Sequence, residues 1–516
     1  MSTLSLPSII ALARAGALEH AWRLLLQDEI GDDDAPRLLV KGRLLKDRAL
    51  EKSGKERLSL LERASAAYGQ AAALGSATYP LINAATVSLL AGDPQQASKL
   101  AQKTLSLLEA DPDEPETVYY LHATRAEAFL LLDRHHEAAA SFAEAVAIAP
   151  SAWEDHASTL RQFALISDAQ GRNASWLDAY RPPCSLHFGG HMSFAADGEH
   201  AVLKAEIAAV LAAEKIGFGF GALAAGADII VAEALLEHGA ELHAVLPGGT
   251  EAFAAVSVDP FGPEWRRRFD AVLGKAVEVR AVRPIGALPD ITTIAIADEV
   301  AMGAAVMNAR RLESRAVQLL VVADSASRRA RDVWSEAGWA QHIVCAPRED
   351  APAGSAAAPA KSASRAIALL TVAPADGTNF GAWLQTLSSE IDRLPAPRLG
   401  PYASEGHVSL AYGTPLEAAQ AAIALRTSLP ELRIGGSYSA AETFHDPFSN
   451  AERLGGDAAA AAAGALASTL PGTIYITEDF AAALVASGPP APRSEFIGEM
   501  DAPDDGPPVG LHVLKS

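Results

Sequence analysis

The sequence predicts a multidomain chain: an all-helical repeat region over residues 1–176, an α/β domain with a parallel sheet over 180–346, and an α+β domain over 365–516. Three observations predict it. The first third carries helical apolar spacing throughout and contains two helix pairs that look alike. The middle third alternates short apolar runs with helices, and those runs lack the polar alternation of a half-exposed sheet, as expected of parallel strands covered on both faces. Between the second and third parts lies APREDAPAGSAAAPAKSAS, residues 346–364, where alanine, proline and serine leave too little apolar bulk for a core; 347–364 reads as a linker.

Composition narrows the functional classes. The 516 residues are 49% hydrophobic and carry a net charge of −21. No basic face is in evidence, so binding to nucleic acid is not expected. Two cysteines, Cys184 and Cys345, with no CxxC or Cys/His cluster, support neither structural zinc nor a disulfide framework; both lie in expected strands and read as buried thiols. MSTLSLPSIIALARAG is a poor signal peptide, and no uncharged apolar run of about 20 residues suggests a membrane span. A cytoplasmic protein without a membrane partner is the expectation.

In the first part, Leu12, Leu18, Trp22 and Leu25 recur near helical spacing, as do Leu58, Leu61, Ala64, Tyr68 and Ala71. Residues 82–108 and 122–150 each read as helix, turn, helix, with turns at Gly92-Asp93 and Asp133-Arg134 and alanines facing the partner helix. These units resemble the tetratricopeptide repeat. The resemblance implies a face that holds a peptide or a protein partner.

The middle part is organised around KIGFGFGALAAGADIIVAEALLEHGAELHAVLP, residues 215–247. A strand with glycine at 217, 219 and 221 enters a small-residue loop closed by Gly226, and a helix follows with Asp228 as its expected N-cap. Alternate glycines either let a phosphate approach helix N–H groups or allow tight helix–strand packing; both readings stand. CSLHFGGHM ends a strand in Gly189-Gly190-His191, and His191 is either a ligand contact or a turn residue bonded to backbone. The helix before the central unit (199–215) should turn Val202, Ile207, Val210 and Leu211 inward. PGGTE, residues 247–251, superficially resembles part of the PGGxGT motif of cytokinin-activating phosphoribohydrolases.

FGGH, then GxxxxGADxxxAE, then a strand ending in Leu-Pro, resembles the SLOG group of Rossmann-like nucleotide sensors. The resemblance implies a nucleotide or nucleotide-derived ligand, with no other cofactor, held by Gly189, Gly190, His191, Gly221, Gly226, Asp228 and Glu233. Some relatives cleave nucleotide glycosidic bonds, which would make Glu233 a catalytic candidate.

In the third part, a strand over 366–373, a helix over about 380–394, a strand and turn over 406–414, a helix over 415–429, a strand over 432–439, a helix over 457–470, a strand and helix, and the closing GLHVL follow in order. RIGGSYSAAE and LPGTIYITEDFAAAL carry a resemblance to the class III adenylate/guanylate cyclase domain, a ferredoxin-like α+β fold. Members of that family hold two metal ions on two aspartates. Here the aligned positions are about Val372 and His407, with Asp376 reachable by a shifted register, and the transition-state Asn and Arg positions fall near Ala460 and Gly464. From Arg365 onward seven Arg and one Lys face seventeen Asp and Glu, a poor setting for a triphosphate.

The reading is therefore a nucleotide-sensing signalling or scaffold protein with a cyclase-like domain that has lost its catalytic groups and no metal site, paired as a homodimer through that domain. Two alternatives stand beside it: an active cyclase with Asp376 and His407 as unusual metal ligands, or a nucleotide N-glycosidic hydrolase centred on Glu233.

Overall fold

The computed structural model describes residues 5–14, 18–27, 34–75, 77–110, 117–192, 194–195, 200–282, 288–323, 329–348, 364–375, 377–404, 406–448, 450–455, 458–488, 491–501 and 508–515. They divide into two compact units, Met1–Pro182 with Arg311–Glu313, and Pro183–Arg310 with Ser314–Ser516.

The first unit is helical. Its helices are α1 (Leu6–Arg14), α2 (Leu18–Gln27), α3 (Ala35–Leu50), α4 (Gly54–Leu74), α5 (Thr78–Leu90), α6 (Pro94–Ala110), α7 (Val118–Leu131), α8 (His135–Ile148) and α9 (Trp153–Ala169). The pairs α5/α6 and α7/α8 are the two look-alike units. Their turns fall where expected, with Gly92 at φ +84° and Asp133 at φ +64°. Buried alanines, including Ala97, Ala101, Ala138 and Ala145, let paired helices approach closely. Helices α3, α5, α7 and α9 contribute one polar centre: Lys46 Nζ donates to Gln162 Oε1 at 3.3 Å, and Gln162 Nε2 and Thr86 Oγ1 donate to Glu127 Oε1 at 2.9 and 2.6 Å. Burial raises the Glu127 carboxyl and lowers the Lys46 ammonium, each partly countered by the other's charge.

The second unit opens with β1 (Cys184–Gly190), α10 (Ala201–Ala213), β2 (Ile216–Gly221), α11 (Ala227–His238), β3 (Glu241–Leu246), α12 (Thr250–Ser257), α13 (Pro263–Leu273), β4 (Glu278–Ala281), α14 (Ile291–Arg311), β5 (Ala316–Val322), α15 (Arg329–Glu336) and β6 (Ala340–Cys345). The strands form one parallel sheet in the order β4-β3-β2-β1-β5-β6. Leu186, Phe188, Leu242, Leu246, Val317 and Leu319 share one core cluster with residues of α10, α11 and α13. Of the residues expected inward on α10, Ile207 and Leu211 are buried, Val210 is half-buried and Val202 is 74% exposed, because it sits on the turn facing solvent. Cys184 is buried, but Cys345, at the end of edge strand β6, is exposed, contrary to expectation.

On the opposite face, fully buried His187 stacks on Trp334 of α15. Its Nε2 lies 3.1 Å from Asp298 of α14 and its Nδ1 3.0 Å from Gln318 Nε2. Gln341 Nε2 donates to Gln318 Oε1 at 2.6 Å, which leaves the Gln318 amide to donate to Nδ1. His187 is thus fixed as the tautomer that gives its Nε2–H to the Asp298 carboxylate.

The chain continues with β7 (Ser364–Ala373), α16 (Phe380–Ile391), β8 (Leu399–Ser404), β9 (His407–Tyr412), α17 (Pro415–Ser428), β10 (Arg433–Asp446), β11 (Ala451–Gly455), α18 (Ala458–Ser468), β12 (Ile474–Thr477), α19 (Glu478–Ala486), β13 (Arg493–Met500) and β14 (Val509–Lys515). These strands form a second sheet, β13-β14-β12-β10-β7-β9-β8, with β11 on β10; among the described residues only β10 and β12 pair parallel. β8, β11 and β13 were not expected, because exposed edge segments lack a core-facing apolar pattern. Helix α18 lies close on β10: a Cβ at Gly435 would stand 2.5 Å from the Ala462 carbonyl.

Among the described residues one helix, α14, is long and apolar enough to cross a membrane by length and composition, yet half of its most apolar stretch is buried within the protein. Ile296, Ala297, Val300 and Ala301 join a cluster with α16, α17 and α19 of the following domain, and Val245 and Val282 of the parallel sheet join the same cluster. The two sheets of this unit therefore share a core.

Candidate functional site

The strand order reverses between β1 and β5, which makes their carboxyl ends the switch point where ligands of open α/β sheets collect. Most of the residues singled out in the sequence meet beside it, around the start of α11. Gly226, at φ +97°, is the N-cap, and the Ala227 amide donates to the His191 carbonyl at 3.1 Å. Asp228 is not the cap: it lies inside the first turn, and its buried carboxylate accepts from the Ala224 amide at 3.3 Å, closing the loop from within. His191 is 7% exposed; its Nε2 is 3.1 Å from the Ala346 carbonyl and its ring stacks on Phe194 at 4.4 Å.

The glycines here are tightly filled. A Cβ at Gly190 would stand 2.2 Å from Ala227 Cβ, and one at Gly221 would stand 2.7 Å from the Phe188 carbonyl. Gly189 has room, its nearest neighbour being Leu320 Cδ2 at 3.8 Å. Pro247, Gly248 and Gly249 are buried where β3 passes into α12. Glu233 stands apart from the group. Arg268, stacked on Trp265, grips both its oxygens at 2.8 and 2.7 Å, and Lys204 lies 3.8 Å away. Both oxygens of this carboxylate are thus engaged in a bidentate pair.

In the C-terminal sheet, β7 and β9 pair with Val372 opposite Val408, and Ser404 faces His407 across the β8–β9 turn. The fold thus brings Val372 and His407, the positions aligned with the metal aspartates, to one end of the sheet. Val372 is wholly buried in the apolar cluster, and His407 is half-buried. Asp376 and Glu405 lie outside the described residues, as does nearly all of the expected linker. On α18, Ala460 is exposed and Gly464 abuts Met500. Among the described residues no group of three or more His, Cys, Asp or Glu side chains converges as a metal site.

One charged cluster between the two sheets is not signalled by any local pattern of residues. Arg280 lies in β4 two residues after Glu278, and Glu478-Asp479 opens α19. In the structure the Arg280 guanidinium contacts Glu478, Asp479 at 3.3 Å and Glu278 at 3.6 Å. His243 Nδ1 reaches Glu278 at 3.1 Å and its ring stacks on Phe220. Burial opposes the Arg280 charge, but Asp479 and Glu478 outweigh it and hold its pKa above the usual value. Burial pushes Asp479 up to about 6 despite the pull of Arg280, and pushes the buried His512 down to about 4. Gly510 leaves the room Glu478 occupies, since a Cβ there would stand 2.5 Å from Glu478 Oε2.

Comparison with known proteins agrees with parts of this picture. Residues 7–88 match the family model Tetratricopeptide Repeats-Sensor. That match covers the region where the repeat spacing is faintest, ends within the first of the two look-alike units and does not reach the second. No curated protein is similar enough to the chain to count as a match. Among solved structures, the chain is similar to an adenylate cyclase of Trypanosoma brucei in its monomeric state, at 14% identity over 30% of this chain and 90% of that one, with a TM-score of 0.26. It is similar to the adenylyl cyclase CyaB of P. aeruginosa at 10% identity over 30% and 95%, TM-score 0.25. It is also similar to the guanylate cyclase domain of RhGC from Catenaria anguillulae in complex with GTP, at 14% identity over 30% and 97%, TM-score 0.24.

Proposed function

We propose that the chain is a nucleotide-responsive signalling scaffold whose C-terminal domain keeps a cyclase-type sheet without cyclase chemistry. Helical repeats hold a peptide or protein partner, a Rossmann-like domain of SLOG type senses the nucleotide, and the cyclase-type domain pairs two copies. The domain limits 1–176, 180–346 and 365–516, the linker 347–364 and a cytoplasmic setting belong to the same reading. The match of residues 7–88 to a sensor repeat family supports its signalling part.

The observation that carries the proposal is the end of β7. Two divalent ions need two anionic oxygen ligands there to offset triphosphate charge. Val372 offers a buried isopropyl group and His407 an imidazole, a poor magnesium ligand. The experiment is incubation of the full chain with ATP or GTP and either magnesium or manganese. No cyclic nucleotide is the expected result. Manganese-dependent product that disappears in Asp376→Ala would replace this reading with that of an active cyclase.

A further inference from the structure

Between the parallel-sheet domain and the C-terminal domain lies a cavity of about 780 Å³. That falls within the roughly 300–1,000 Å³ of small-molecule sites. It is walled by α14, the end of α15, the start of β7, the loop into α17 and the last turn of α19. None of the residues that the sequence singles out as ligand contacts lines it.

Its lining is divided in chemistry. Arg365 and Arg398 are the cations, and among the described residues neither guanidinium has a hydrogen-bond or ion-pair partner. Arg398 stands over the entry to α17, with Nη1 3.6 Å from the place a Cβ on Gly413 would take. Glu417 Oε2 approaches the same point at 3.5 Å without pairing to Arg398. Pro415 has no N–H and the Thr414 hydroxyl already accepts from the Glu417 amide at 3.2 Å, so the helix start adds little. Ile296, Met302 and Val333 supply an apolar wall. Two carboxylates complete it: Glu299, which accepts from the Tyr438 hydroxyl at 2.7 Å, and Glu336.

The planar guanidinium fork favours an anion that offers two oxygens to its paired N–H groups, such as phosphate. The apolar wall accommodates a flat ring, and carboxylates accept from ring amino or ribose hydroxyl groups. We infer that this cavity binds a nucleoside phosphate, its phosphate on Arg365 and Arg398 and its base against Met302 and Val333. The inference rests on the nucleotide-responsive reading and moves the ligand from the filled edge of the parallel sheet to the junction of two domains. A ligand there touches α14 and α19 together, so binding changes the coupling between the sheets.

The test is calorimetric titration of the full chain with AMP, GMP, CMP and UMP, with inorganic phosphate as the anion alone. The variants are Arg365→Ala/Arg398→Ala, two exposed positions, and His191→Ala at the sheet edge. The expected result is saturable binding of at least one nucleotide, weaker binding of phosphate, a dissociation constant raised about tenfold or more in the double arginine variant, and little change in His191→Ala. Binding lost in His191→Ala and kept in the arginine variant overturns the cavity site and leaves the nucleotide-responsive reading intact. Binding of no nucleotide overturns both. An equal affinity for phosphate and nucleotides overturns the assignment of the apolar wall to a base.

Discussion

At the scale of single residues, the Arg280 cluster shows what burial does to charge. Asp479 and His512 titrate in one acidic window with opposite effects. His512 is held down to about 4 from 6.5, so its contribution to stability is full above its ordinary pKa and is lost as pH falls. Asp479 is raised to about 6 from 3.8, so its contribution is full below its ordinary pKa and is lost as pH rises through about 6. On acidification the two offset each other. In Asp479→Asn only the His512 effect remains. Urea unfolding between about pH 7 and pH 4 should then show the variant losing roughly 2–3 kcal/mol more than the native chain. Parallel pH profiles would show that these two groups do not oppose each other. Glu233 teaches a related lesson. Its place five residues after Asp228 is legible in the sequence, but its bond to Arg268 is not, because the partner lies on α13 and only the crossover brings it near.

At the scale of elements, two close approaches depend on missing side chains. Gly435 lets α18 onto β10. Gly303 lets α14 meet α19: a Cβ there would stand 1.8 Å from the Ala482 carbonyl, a backbone atom with no rotamer to yield. Gly303→Ala should cost at least about 2 kcal/mol in equilibrium unfolding. Unchanged stability would show that the two helices slide apart without penalty. The alternate glycines of β2 belong to the same class. Gly217 meets Pro183, Gly219 meets Leu235 and Gly221 meets Phe188. The sequence shows the spacing and leaves its purpose open; the neighbours in space fill it with packing.

At the scale of the molecule, the layers of the parallel sheet explain why it shares a unit with the C-terminal domain. Connections β1 to β4 bring α10, α11 and α13 to one face, while α14 and α15 pack on the other beside β1, β5 and β6. The second face of β3 and β4 carries Val245, Arg280 and the flanking Val282, and these meet the C-terminal domain. A parallel sheet needs both faces covered. Residues 183–348 produced alone should therefore expose this face and the apolar stripe of α14, bind a hydrophobic dye and self-associate, whereas 183–516 should run as one compact species on gel filtration. A well-behaved 183–348 fragment would show that the shared core is dispensable.

The sequence by itself determined most of the element types, though not the edge strands β8, β11 and β13, and the residues that close the turn at α11. Helical and strand periods are local properties, and the small-residue positions that permit close packing are written at fixed spacing. Only the tertiary structure decided that Asp228 closes its own loop, that Cys345 and Val202 face outward, that Glu233 is held by Arg268, and that Arg280 meets Asp479, 199 residues away. Contacts between distant segments follow from strand order and layer packing, which no window of sequence contains.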